Sequence, residues 1–349
     1  MTISDLELFL VERPSDTTDP SIRSLLIRLV TDSGLVGWGE AAVPWRTSEL
    51  SARRDVLLPI LTGRSVFDIE ELLSQEALMP RALQAAVEMA CWDLISRIAG
   101  LPLRCLFGGT YRGRIPLGVR LHGSSIEQVL QLSREMADQG FHWQTLSATG
   151  RMSSDENLVT GLLDAVGDRV ELRLDGRQSY NAEQAQELCR RLEDQALVFF
   201  LDPLEGGRMD EVASLRRQTS VTMAVARSVE TPADMMAFIR GGIAANTVID
   251  VQRVGGLSLA RKCGTIAEAG RIGASLCAGH SLGVATAAML QLACSTPAFN
   301  GCIECTRHQP ADELLVESFS YVDGMIQVPQ GPGIGVEVNR AAIDKYQVS

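Results

Sequence analysis

Histidine is scarce in this chain, with four residues in 349. Chemistry that needs an imidazole therefore has few places to find one. Positive charge is not in surplus: the formal net charge is −11. That argues against nucleic acid or an anionic membrane as partner, since both need a basic face. No apolar run reaches the length of a membrane span. The start, MTISDLELFL, lacks the basic stretch and apolar core of a secretory signal, so a cytoplasmic protein is expected. Paired cysteine motifs are missing as well. The eight cysteines are scattered, several in apolar contexts (Cys91, Cys189, Cys263, Cys277, Cys294). Cys302 and Cys305 form a lone C-x-x-C with no second pair, which reads as reduced thiols and not as a zinc site. A glycine-rich phosphate turn is also absent: RLHGSS (120–125) does not have the required pattern.

What remains is an ordinary globular balance, 46% hydrophobic and 21% charged. The chain is longer than the ~250 residues of a barrel alone. Residues 3–11, 22–30 and 35–41 read as an antiparallel meander. The polar loop Arg13 to Pro20 between the first two strands reads as exposed. Val87, Cys91, Leu94 and Ile98 share one face of a helix over Arg81–Ile98, stopped by Gly100 and Pro102.

Beyond about Arg114 the pattern becomes alternating strands and amphipathic helices. Candidate strands are 115–121, 141–147, 170–175, 197–201, 221–226, 247–252, 273–277 and 301–305. Asn181 with Gln184 makes a capping box, and Thr231, Pro232 and Asp234 make another helix start. Asp175, Leu201 and Arg227 end successive strands at equal intervals of 26 residues. Eight such units imply a (β/α)8 barrel, an α/β fold with chemistry at the carboxyl ends of its strands. The expected division is an α+β capping domain over 1–114, the barrel over 115–306, and a segment over 307–349 that returns to the cap. Residues 313–338 read as strands with a hairpin turn at Asp323-Gly324, and GPGIGVEVN (331–339) as a loop.

The strand ends bring together a candidate site: Arg120 and His122 on the first strand, Thr145 and Ser147 on the second, Asp175 and Arg177 on the third. Leu201, Asp202 and Glu205 follow on the fourth, Arg227 on the fifth, Asp250 on the sixth, His280 after the seventh and Glu304 on the eighth. Asp250 and His280 are the most suggestive pair. A carboxylate on one strand end orients an imidazole on the next and raises its basicity, as a general base requires.

Three motifs in order carry a resemblance: GLVGWGEA (34–41), AVEMACWDLISRIAGLPLRCLFGG (86–109) and VIDVQRVGGLSLARK (248–262). The chain resembles the enolase superfamily, in particular the mandelate racemase and muconate lactonising enzyme group. The resemblance implies three carboxylates that hold Mg²⁺ at strands three to five, a K-x-K on strand two, a His–Asp dyad and a strand-eight Glu. It also implies a homo-oligomer whose 13–20 loop and Trp45 segment fold over the barrel mouth. Asp175 matches the first ligand, Asp250 and His280 the dyad, and Glu304 the last acid. The other positions depart: Leu201 and Arg227 stand at the ligand positions, Thr145 and Ser147 at the lysines, and Arg177 at an Asn. No Mg²⁺ site of the usual kind is expected, because a hard ion needs oxygen ligands.

Two readings stay open. In one, Arg227 paired with Asp175 replaces the metal. Arg120, His122, Arg177 and Glu304 then help bind a small α-substituted carboxylate, and His280 with Asp250 supports lyase or isomerase chemistry. In the other, the chain is a non-catalytic protein that binds small acids or regulates. A third, a metal enzyme using Asp175, Asp202 and Glu205, requires the fourth strand to slip by one residue and so reverse its faces.

Overall fold

The computed structural model describes residues 1–14, 21–279, 281–305 and 314–348. The N-terminal meander forms as β1 (Ile3–Arg13), β2 (Ile22–Thr31) and β3 (Val36–Ala41), paired in antiparallel order β1-β2-β3. Four helices follow: α1 (Leu50–Leu61), α2 (Ile69–Leu73), α3 (Arg81–Ile98) and α4 (Leu103–Leu106). Helix α3 lies against β3, and its buried Val87, Cys91 and Leu94 join the core of this cap. Trp45 is buried in that core beneath the Arg53 guanidinium. Trp45 is not among the residues that line the cavity at the barrel mouth.

Eight parallel strands then close on themselves: β4 (Arg114–Leu121), β5 (Trp143–Ser147), β6 (Glu171–Asp175), β7 (Leu197–Leu201), β8 (Met223–Val225), β9 (Asn246–Asp250), β10 (Gly273–Cys277) and β11 (Ile303–Glu304). Pairing of β11 with β4 seals the barrel. The outer layer holds α5 (Ile126–Asp138), α6 (Met152–Val166), α7 (Ala182–Leu192), α8 (Met209–Arg216), α9 (Pro232–Arg240), α10 (Val251–Val254), α11 (Leu257–Ala269) and α12 (Gly283–Ser295). Asn181 and Thr231 cap α7 and α9 as their sequences predict. The sixth strand is shorter than the sequence suggests. It ends at Asp250, whose side chain caps α10, so Val251 and Gln252 are helical.

The tail forms β12 (Tyr321–Val322), β13 (Met325–Gln327) and α13 (Arg340–Tyr346). Asp323 and Gly324 both take positive φ, as a two-residue hairpin turn demands. The strands are shorter than predicted, and β13 pairs with the start of β4. Gln347 bridges Val11 in the cap. No described helix is long and apolar enough to cross a membrane.

Buried carboxylates hold cap to barrel. Glu40 on β3 accepts from the backbone N–H groups of Leu282 (2.5 Å) and Ala285 (2.8 Å) at the start of α12, and from Ser24 Oγ (2.9 Å). Glu88 on α3 accepts from the N–H groups of Leu257 and Ser258 at the start of α11, and from Trp92 Nε1 at 3.2 Å. Each acid satisfies first-turn donors that have no partner inside their own helix. Replacing Glu88 by Ala strands those donors in a buried seam. The expected cost is about 2–4 kcal/mol, read as a lowered urea midpoint, while Glu88→Gln, which keeps one acceptor, loses less.

Candidate active site at the barrel mouth

The barrel interior is divided. On one side Phe199, Leu201, Ala224 and Val248 form a small apolar cluster. On the other side Arg120, Thr145, Ser147, Arg173, Asp175 and Glu304 bring charged and polar groups into the interior. A one-residue irregularity in the β6–β7 pairing, between Leu172 and Arg173, sets Phe199 beside Arg173 and Leu201 beside Asp175. The fourth strand therefore ends in register with Leu201 at the mouth, and the slip that would substitute Asp202 for it does not occur.

Asp202 nevertheless reaches the site by another route. Its backbone adopts φ +41, and its carboxylate accepts from the N–H groups of Ala226 and Arg227, both at 3.0 Å, and from Arg227 Nη1 at 3.1 Å. Arg177 and Gln178 also take positive φ, at 54° and 57°. Non-glycine residues in this region cost of order 1–3 kcal/mol each, and they cluster where side chains must be aimed. Glu205 is exposed and does not line the cavity.

Asp175 is gripped from both sides. Arg227 Nη1 donates to Oδ1 at 3.0 Å and Arg120 Nη1 to Oδ2 at 2.8 Å, while the Arg177 backbone N–H reaches Oδ1 at 2.9 Å. Burial pushes this carboxyl up, but Arg227 and Arg120 outweigh it and leave it below its ordinary value. Arg120 continues the chain of contacts: Nη1 donates to Ser147 Oγ at 3.1 Å and Nη2 to Glu304 Oε2 at 3.0 Å. Thr145 Oγ1 donates to Glu304 Oε1 at 2.7 Å. The two positions where the resemblance implies lysines thus carry hydroxyls that serve this network.

Arg173 is the residue that sequence reasoning missed. It is fully buried, and its Nη2 lies 2.8 Å from Glu304 Oε1. Its N–H groups are aligned on no hydrogen-bond acceptor. The guanidinium instead lies between the Trp143 and Phe199 rings, each 5.7 Å from its centre, where cation–π attraction offsets part of its desolvation. Gly118 makes room for it, because a Cβ there would stand 2.5 Å from Arg173 Nη2. Strand alternation in VELRLD puts 173 on the same face as 175, and that was the available signal.

Asp250 Oδ1 accepts from the N–H groups of Gln252 (2.9 Å) and Arg253 (3.2 Å). Burial pushes its carboxyl up, and these donors only partly offset it. Cys277 pairs in register with Asp250 on one side and Glu304 on the other. Burial and those two acids push its thiol well above the ordinary value. His280, expected as Asp250's partner, lies outside the described residues, as does most of the 13–20 loop.

A cavity of about 720 Å³ opens at this mouth. Arg120, His122, Arg177, Arg227, Asp175, Asp250 and Glu304 all line it. The lining holds four arginines (Arg253 is the fourth) against three carboxylates, on a chain of net charge −11. These residues do not fit a hard divalent ion. Both oxygens of Asp175 are held by guanidinium groups, and the neighbouring strand ends offer Leu201 and a cation. Among the described residues no cluster of three His, Cys, Asp or Glu is placed to hold a metal.

The order of cap and closed barrel agrees with two family models. The mandelate racemase / muconate lactonizing enzyme N-terminal domain matches residues 12–108, and the enolase C-terminal domain-like family matches 128–342. The chain belongs to the enolase superfamily, in its mandelate racemase and muconate lactonizing enzyme group. Muconate cycloisomerase 1 of Rhodococcus opacus is 26% identical, over 99% of this chain and 96% of its own. D-gluconate dehydratase of Thermoproteus tenax is 27% identical, over 99% and 74%. The crystal structure of a muconate cycloisomerase from Azorhizobium caulinodans superposes with a TM-score of 0.84 at 26% identity, covering 99% of this chain and 98% of that one. At these identities the present chain is a divergent member of its group.

Glu304 supplies a pH test of the network. Burial pushes its carboxyl up, but Arg173, Arg120 and the Thr145 hydroxyl outweigh it and bring it from 4.5 to about 2. A carboxyl with a lower pKa folded than unfolded stabilises the fold above the unfolded value and loses that contribution as pH falls toward the folded one. The shift is equivalent to roughly 3 kcal/mol at neutral pH, with about 2 kcal/mol of it gone by pH 3. Urea unfolding of wild type and Glu304→Gln at pH 6 and pH 3 should show their stability difference narrowing by about that amount.

Proposed function

We propose that this chain is a lyase or isomerase that removes the α-proton of a small α-substituted carboxylate without Mg²⁺. The observation that carries the reading is the arginine-rich lining of an open cavity in an acidic chain. Arg227, backed by Asp175 and Asp202, and Arg120, backed by Asp175 and Glu304, present fixed guanidinium groups. A fork of this kind binds a carboxylate and stays charged at any working pH. It also stabilises the negative charge that develops on the acid's oxygens when the α-proton leaves. Arg177 at the exposed rim forms no ion pair among the described residues and is free to meet the incoming anion. His122, just past the end of β4, contacts the substrate.

His280 takes the α-proton, oriented by Asp250. The imidazolium then returns it to a departing β-substituent, which is elimination, or to a different carbon, which is isomerisation. With hydroxyls at 145 and 147, no second strong base stands opposite among the described residues, so one-sided chemistry is favoured over two-base racemisation. The names of the relatives, a cycloisomerase and a dehydratase, agree with that range. The competing reading, an acid-binding protein without turnover, draws on the grip of both guanidinium groups on Asp175.

Incubation with 2-hydroxy and 2-amino acids in deuterated water, D-gluconate among them, separates the two. Wild type should place deuterium at the α-carbon, seen by NMR, at a rate unchanged by EDTA. His280→Asn should lose at least about a hundredfold, and Arg177→Gln should raise KM about tenfold. Exchange by His280→Asn at the wild-type rate would overturn the mechanism. Binding of an acid with no exchange would establish the non-catalytic reading, and a rate that requires added Mg²⁺ would restore the metal.

A further inference from the structure

Behind the rim of the mouth lies a buried acid–phenol pair with no part in the chemistry above. Asp155 stands in the first turn of α6 and is fully buried, as is Tyr180 in the loop after β6. The Tyr180 hydroxyl donates to Asp155 Oδ2 at 2.5 Å. The Thr149 N–H, in the loop after β5, donates to Oδ1 at 2.7 Å. One side chain at the start of a helix thus holds the loops that follow two successive strands. The Tyr180 ring meets Phe200 of β7 edge-on, with centroids 5.8 Å apart. Burial, and then the bond to Asp155, push the phenol up from its ordinary value, so it remains a donor.

The segment between β6 and Tyr180 is the part of the rim that needs an anchor. Arg177 and Gln178 are both left-handed, which a residue with a Cβ adopts only when its surroundings impose it. The Arg177 N–H reaches Asp175 Oδ1 at 2.9 Å, and the Gln178 N–H reaches the Asp202 carbonyl at 2.8 Å. The Tyr180 N–H donates to the Pro203 carbonyl at 3.2 Å, and the Glu205 N–H returns to the Tyr180 carbonyl at 2.8 Å. No gap separates the two loops: a Cβ on Gly176 would stand 2.7 Å from Pro203 Cα. The loops after β6 and β7 are therefore bonded into one piece. That piece carries Arg177 at its exposed edge, and its buried end is the Asp155–Tyr180 pair.

We propose that Tyr180 and Asp155 are positioning residues of the anion site, clamping residues 176–180 from behind so that Arg177 is held at the rim of the cavity. The proposal rests on the acid-binding reading above. Neither residue lines the cavity, so any effect on binding passes through Arg177. Without the clamp, Arg177 and Gln178 relax toward favoured torsions, the Arg177 N–H leaves Asp175, and its guanidinium turns out into solvent.

Calorimetric titration of 2-hydroxybutanoate into wild type, Arg177→Gln, Tyr180→Phe and the double variant tests the clamp. Tyr180→Phe keeps the ring against Phe200 and loses only the hydroxyl. It should weaken binding about threefold to tenfold, and the double variant should bind within about twofold of Arg177→Gln alone. Amide hydrogen exchange of the unliganded proteins, read by mass spectrometry, should quicken at least about tenfold over 176–180 in Tyr180→Phe and stay unchanged over α3 in the cap. A purely structural role would loosen the fold as a whole and would not depend on Arg177. Asp155→Asn, which keeps one acceptor oxygen, should fall between wild type and Asp155→Ala in both measurements. It carries the same comparison if thermal melts show that Tyr180→Phe has failed to fold. A loss in Tyr180→Phe that adds in full to that of Arg177→Gln, or exchange over 176–180 at the wild-type rate, would overturn the clamp and leave the acid-binding reading standing. If wild type binds neither 2-hydroxybutanoate nor any other acid of the panel above, the acid-binding reading falls, and the exchange rates alone decide the clamp.

Discussion

Charge balance inside the barrel is the constraint on which the rest of the site depends. Arg120, Arg173 and Arg227 meet Asp175, Asp202 and Glu304 in a space closed on most sides by apolar walls. Each group is tolerable there because the others are present: removing one partner from a buried pair leaves an uncompensated charge and costs several kcal/mol. Several local features follow from that requirement. Gly118 leaves space for a guanidinium, Trp143 and Phe199 face it with their rings, and Asp202 accepts an unfavourable backbone conformation to hold Arg227. Leu201 belongs to the apolar half of the interior, with Phe199, Ala224 and Val248.

A second set of buried acids works at the seam between cap and barrel. Glu40 and Glu88 each leave the N-terminal domain to end on the first turn of a barrel helix. Gln252 extends the link at the mouth, where it accepts from the Ala42 N–H and donates to the Ala278 carbonyl. The strand that carries Asp250 and the segment leading to position 280 are therefore tied to the cap by hydrogen bonds. Position and chemistry at the mouth depend on contacts between parts of the chain more than two hundred residues apart.

The barrel, the cap and the residues at the strand ends were legible in the sequence because they rest on periodicity. A strand–helix interval of 26 residues repeats, and alternation within a strand fixes which residues look inward. Arg173 was legible by the same rule, but a charged residue below the mouth contradicts the usual filling of a barrel and was passed over. Asp202 was legible as a candidate at the fourth strand end, but not as the partner of Arg227. Its role depends on a single left-handed backbone torsion, which no spacing rule anticipates. Nor was the irregularity before Phe199, which decides that Leu201 and not its neighbour ends the fourth strand. Asp250 was legible as a strand end but not as a helix cap, since the capping geometry appears only when the strand stops two residues early.

The double grip on Asp175 also bears on how such a site changes over generations. A carboxylate introduced at 227 in a single step would confront Asp175 and Asp202 while removing the cation they share. Arg120 would be left as the lone guanidinium in contact with Asp175. The intermediate would carry repelling acids in a confined space before any new counter-charge could be acquired. The shared cation thus makes position 227 resistant to any single-step change that would place a carboxylate there.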